Sequence, residues 1–259
     1  MRGSSRLRCL KVPVFVGLAS LGFATMAGHE DRVHVSADSD ARAIEIAQAV
    51  MERMGGWENW ERTRILQWTF FGRRVHHWDR WTGNVRIEGP GQEASYLWLM
   101  NINTLEGRVW KDGEEITDPE ALKEALENGH KAWVNDSYWM VMPYKLLDPG
   151  VTLKYVGERT MEDERTYDVL AMTFGDGVGY TPQNRYEVFV SQDSGLVEHW
   201  SFFTDASDEE PRFTMPWSGW QKFGRIMLAT GRGRDMDWKI AVHDALPDAV
   251  FTSPDPVSD

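Results

Sequence analysis

The sequence predicts a mainly β, α+β fold: a long antiparallel meander with one leading helix and a helical segment inserted at its centre. Three observations carry that expectation. Short runs rich in β-branched and aromatic residues, such as 65–71 and Arg185–Ser191, alternate with Gly, Asn and Asp turns. Residues 41–54 instead repeat apolar side chains at helical spacing. Finally, residues 139–150, WMVMPYKLLDPG, place a short apolar segment stopped by Pro143 among the strands. Such a segment is expected to lie across a sheet face and to cover an enclosure beneath it.

The elements follow in order. Ser39 or Asp40 can cap the leading helix, whose Ala43, Ile46, Ala47, Val50 and Met54 form one face, and Gly55-Gly56 ends it. Strands are expected at 65–71, 75–81 and 85–88, with Gly72 and Thr82-Gly83-Asn84 as turns. Strands at 96–101 and 107–110 follow, and Asp112-Gly113 is a hairpin signal. Two helices come next. The first starts at Asp118-Pro119, with Pro at its tolerated first position, and Gly129 closes it. The second spans 132–142 and stops because the residue before Pro143 is pushed out of the helical region. Strands resume at 151–157, Thr166–Phe174, Arg185–Ser191 and 196–204, and the set ends with 221–228 and 238–242. No internal repeat or low-complexity linker appears.

Residues 1–27 read as a signal peptide: Arg2, Arg6, Arg8 and Lys11 precede an apolar stretch at 12–26, and Thr25-Met26-Ala27 offers a cleavage site near Ala27. This implies a periplasmic or secreted protein. A flexible lead-in at 28–39, a single domain at 40–254 and a tail at 255–259 complete the expected organisation. The only cysteine, Cys9, lies in the leader, which excludes disulfides and Cys-ligated metals from the mature chain. The formal net charge of −12 becomes more negative once the leader's cations are removed. A surface so acidic repels nucleic acid and anionic lipid, and no nucleic-acid partner is expected.

Several local motifs then resemble the LolA/LolB superfamily. They are Lys111-Asp112-Gly113 after Val109-Trp110, the run 220–228 with Phe223-Gly224 and Met227-Leu228, and the ending Leu246-Pro247-Asp248-Ala249-Val250-Phe251 before Pro254. Residues 139–157, with their MPYKLLDPG core, are similar to a less characterised bacterial branch of LolA-like proteins. The resemblance spans most of 40–254. It implies a curved antiparallel sheet forming an unclosed half-barrel under a central helical lid, and a carrier of acyl chains rather than an enzyme. It also implies an apolar small molecule or lipid as ligand, lipoprotein or outer-membrane components as partners, a monomer and no cofactor.

If the concave face holds an apolar ligand, alternate strand positions should be large and hydrophobic. Trp68 and Phe70 share a parity, as do Trp98 and Met100, and Phe189 lies on another strand. Trp133, Trp139, Met140 and Val141 of the lid are the expected partners. The same residues could instead simply fill the core, which would make the protein a structural accessory with a filled barrel.

Polar constellations point to little chemistry. His76 and His77 must face opposite sides of a strand; His77 and Asp79 share a side, and His199 could join them, but no spacing fixes the three or four ligands zinc needs. No metal and no catalytic residue is therefore expected. The carboxylate pairs Glu88/Glu93 and Glu187/Glu198 keep a secreted hydrolase open as an alternative. Trp57/Trp60 and Trp217/Trp220 keep a carbohydrate-binding protein open, although they read more readily as packing corners.

Overall fold

The computed structural model describes residues 33–91, 94–233 and 238–257. The expected signal peptide and Glu93 lie outside the described residues. Helix α1, Ala41–Arg53, buries the stripe Ala43, Ile46, Ala47, Val50 and Met51. Its expected caps are used differently: Ser39 Oγ accepts from the Leu153 amide, and Asp40 Oδ2 from the Tyr155 amide, both at 3.0 Å. Residues 34–40 thus run along a strand edge, with Ser36 and Asp40 donating backbone bonds to Val151 and Leu153. Gly55 and Gly56 do end α1, but a second helix that the sequence reading did not anticipate, α2 (Gly56–Arg62), begins at once. It seats Trp60 against Tyr144 in a stack of 4.1 Å.

The strands form antiparallel sheets and no closed barrel. The first sheet has seven strands: β1 Ile65–Phe70, β2 Arg74–Asp79, β3 Asn84–Pro90, β4 Ser95–Asn101, β5 Gly107–Lys111 and β6 Glu114–Glu115 in sequential order, with β14, Ala241–His243, completing the edge beside β1. Asp112-Gly113 makes the β5–β6 hairpin with both residues at positive φ, 50° and 86°. The second sheet has five strands: β7 Val151–Thr160, β8 Thr166–Phe174, β9 Arg185–Ser191, β10 Val197–Phe203 and β11 Phe213–Pro216. The run 221–228, expected as one strand, turns at Gly224 into the hairpin β12 Ser218–Phe223 and β13 Ile226–Gly231. Trp238, expected in a strand, instead accepts from the Thr69 amide through its carbonyl at 2.6 Å.

The two expected central helices are one. Helix α3 runs unbroken over Pro119–Val141, capped by Asp118, whose carboxylate accepts from the Ala121 amide. Gly129 does not end it because it serves a packing need: a Cβ there would lie 2.5 Å from the Trp98 ring. Pro143 then opens a 3₁₀ turn over Met142–Lys145, which returns the chain to β7. On the outside of the first sheet, a short helix α4, Ala249–Thr252, is clamped by buried Arg86, which donates to the carbonyls of Val250, Ser253 and Asp255. The main core gathers α1, the end of α3 and the inner face of the second sheet, and a separate cluster joins α3 to β3, β4 and β5. Among the described residues, no helix is long and apolar enough to cross a membrane.

Candidate functional site

Helix α3 has two working faces. Toward the first sheet, Trp98 Nε1 donates to the Ala125 carbonyl at 2.9 Å, and Trp133 meets Trp78 edge to face at 5.1 Å. Further along, fully buried Asp136 receives Nε and Nη2 of Arg74 at 2.7 Å each and His76 Nε2 at 2.8 Å. Burial alone would raise the Asp136 pKa, but the hydrogen bonds from His76 and Arg74 outweigh it and hold the carboxyl below its usual range. Burial likewise pushes His76 down, against the pull of Asp136.

Toward the second sheet, Tyr138 and Trp139 project at a wall of rings. Trp139 meets Trp200 edge to face at 4.7 Å, and Trp200 stacks on Tyr186 at 5.1 Å. Phe202 pairs in register with both Tyr186 and Phe213, extending the wall. The Trp139 carbonyl is fixed from behind by Arg232, whose Nε and Nη2 donate to it at 3.2 and 2.9 Å while the guanidinium lies 3.7 Å over the Trp217 ring. Burial drives the Arg232 pKa well below its ordinary value. Between helix and wall lies a cavity of about 750 Å³.

Its mouth is crossed by the β8–β9 loop, residues 175–184. Val178 packs on Gly150, where an added Cβ would come within 2.5 Å of it. The Tyr180 hydroxyl hydrogen-bonds His130 Nδ1 of α3 at 2.6 Å. Burial lowers the His130 pKa, so the ring is neutral at neutral pH. Lys131, Lys145, Asp148 and Thr181 supply the polar rim.

Of the residues expected from sequence, Trp133, Trp139 and Val141 line this cavity. Met140 points into the core instead. Trp68 is fully buried and stacks on His76 at 4.4 Å; Phe70 meets Phe71 and Trp238; Trp98 and Met100 belong to the cluster under α3. Phe189 faces the other side of the second sheet, against Tyr167 and Val169. Sequence reasoning missed Lys131, Tyr180, Tyr186, Phe202 and Phe213. The alternation Trp200, Phe202 was a usable signal; the loop that carries Tyr180 has no periodicity to read.

The polar constellations are dispersed. His76 and His77 do face opposite sides, Asp79 is held by Arg64 at 2.8 Å, and His199 sits against Tyr167 in the second sheet. Among the described residues no cluster of His, Cys, Asp or Glu is arranged to hold a metal. Glu187 is engaged by Arg159 and Arg185, and Glu198 by Arg165 and Ser194. Trp60 and Trp217 are buried, and Trp220 donates to the Val197 carbonyl, so these pairs are packing corners.

No protein-family model and no curated protein matches the chain. Solved structures do. A DUF1329 family protein from Desulfovibrio piger is 13% identical, covering 82% of this chain and 97% of its own, with a TM-score of 0.43. A LolA superfamily protein from Nitrosomonas europaea is also 13% identical, covering 80% of this chain and 97% of its own, with a TM-score of 0.38.

Proposed function

We propose that this chain is a periplasmic or secreted binding or carrier protein that holds a lipid, a lipoprotein acyl chain or another apolar molecule between α3 and the second sheet. The observation that carries this reading is the cavity itself. Its volume of about 750 Å³ falls within the roughly 300–1,000 Å³ of small-molecule sites. Its walls are mostly rings and aliphatic side chains, with Lys131, Lys145, Asp148 and Thr181 among its few polar members and Ser137 and Asn184 buried between them. Apolar walls reward ligand surface removed from water, at about 25 cal/mol per Å². The many aromatic rings supply large contact area with little side-chain entropy to lose on binding.

The test is titration with N-phenyl-1-naphthylamine, a neutral apolar probe, followed by native mass spectrometry with lipid extraction. Binding in the micromolar range is expected, and Trp139→Ala should weaken it by at least fivefold while the protein stays folded. A folded wild-type protein that neither binds the probe nor carries an extractable apolar molecule would sink the proposal.

A further inference from the structure

The rim of the cavity is electrically uneven. Lys145 pairs with Asp148, so that cation is locally neutralised. Lys131 makes no ion pair among the described residues, while Glu127, one helical turn back, acts electrostatically on the neighbouring Tyr180 hydroxyl. Its ammonium instead stands 5.8 Å from the centroid of the Tyr180 ring. That ring is itself held by the bond to His130, the residue next to Lys131 on α3. Helix and strap are thereby joined at one point, with the Lys131 ammonium beside them. Several other cations of the chain also lack an ion pair among the described residues; what sets Lys131 apart is its place in the lining of the cavity.

Rings dominate the rest of the lining: Trp133, Tyr138 and Trp139 from α3 and Phe174, Tyr186 and Trp200 from the second sheet. The cavity therefore brings the Lys131 ammonium and the Lys145–Asp148 pair together with a lining that is otherwise mostly apolar. A Lys ammonium is a compact point charge with three donors, suited to a carboxylate or phosphate oxygen. The volume suits a single drug-sized molecule and not a bundle of chains.

Resting on the reading of this cavity as a site for an apolar molecule, we propose that its ligand is an amphiphile with one anionic head group, which sits at Lys131 beside Tyr180 with the apolar part in the cavity against Trp133, Tyr138 and Phe174. The head group carries the orientation: the apolar walls alone would accept a chain from either end.

The experiment is displacement of N-phenyl-1-naphthylamine by lauric acid, dodecyl phosphate and methyl laurate at low ionic strength, in the wild type, Lys131→Gln and Lys145→Gln. In the wild type at least one anionic competitor should bind about five- to tenfold more tightly than the ester, and the better of the two identifies the head group as carboxylate or phosphate. Lys131→Gln should abolish that preference and leave the ester's affinity unchanged. The preference should also shrink in 0.5 M salt, because the rim is solvent-exposed. Lys145→Gln should leave it intact. Equal affinity for acids and ester, or a preference that survives in Lys131→Gln or vanishes in Lys145→Gln, overturns the assignment. If the wild type binds neither probe nor ester, the cavity reading itself fails, a result distinct from loss of the charge preference alone.

Discussion

Helix α3 meets the two sheets in opposite ways. Against the first sheet it is sealed: Gly129 admits the Trp98 ring, and Asp136 locks Arg74 and His76. Against the second sheet it touches through ring edges and leaves a cavity of about 750 Å³. The same element is thus an anchor on one side and a wall on the other. Along the stretch that borders the cavity the helix has fewer side chains to pack on, so the contacts of the opposite face, together with Arg232 on the Trp139 carbonyl, hold it in place.

The largest test of that contrast is Asp136→Ala. It strands the Arg74 guanidinium and the buried His76 without their acceptor, and breaking a buried ionic contact in this way costs about 3–5 kcal/mol. Urea unfolding should show that loss. A drop of less than about 1 kcal/mol would mean the anchor lies elsewhere.

Acidification is the second test. Burial, with Arg86 next, pushes His77 of the first sheet down to about 4. A histidine whose folded pKa lies below its unfolded value binds fewer protons when folded, so stability falls as pH drops from about 6.5 toward about 4, by about 3 kcal/mol at most. His76, lowered by burial, acts in the same direction, and Asp136, held below its usual range, adds a loss at still lower pH. His199 of the second sheet is lowered too but is half-exposed, so it contributes less. Hydrogen exchange at pH 5 should therefore show β2 and β3 losing protection before β8 and β9, and His77→Gln should flatten the slope. Loss of protection in the second sheet first would reverse the assignment of anchor and wall.

The smallest effect is Gly129→Ala. A methyl group 2.5 Å from the Trp98 ring forces a shift that overpacks the contact, costing about 1–3 kcal/mol. The better helix propensity of alanine returns up to about 1 kcal/mol of that. A net loss near 1 kcal/mol in thermal or urea unfolding is expected. A gain in stability would show that this face has slack.

What could be read from the chain follows from how local each feature is. Pro119, Pro143 and Asp112-Gly113 act on their own backbone, and the structure places a helix start, a helix stop and a hairpin there. Gly129 reads locally as a stop, yet its role is set by Trp98, 31 positions away in the chain and brought near only by folding. The Gly224 turn was hidden because Phe223 and Ile226 continue the apolar run across it. At β9 the alternation that should mark an inner face is lost, since Tyr186 through Ser191 are all buried. Phe189 and Tyr186 then look alike in sequence, and only the partner layers tell them apart. Lys131 was invisible for a related reason: on an exposed helix a lysine is ordinary, and its meaning comes from the strap that crosses beside it.

The pairing of β1 with β14 sets a timetable. The outer edge of Ile65–Phe70 is completed by residues 241–243, so the seven-stranded sheet stays open on one side until that segment exists. At translation speeds of about 5–20 residues per second, the wait is on the order of ten seconds or longer. For most of its synthesis the chain therefore lacks the strand that completes this edge, and the first sheet cannot reach its final form.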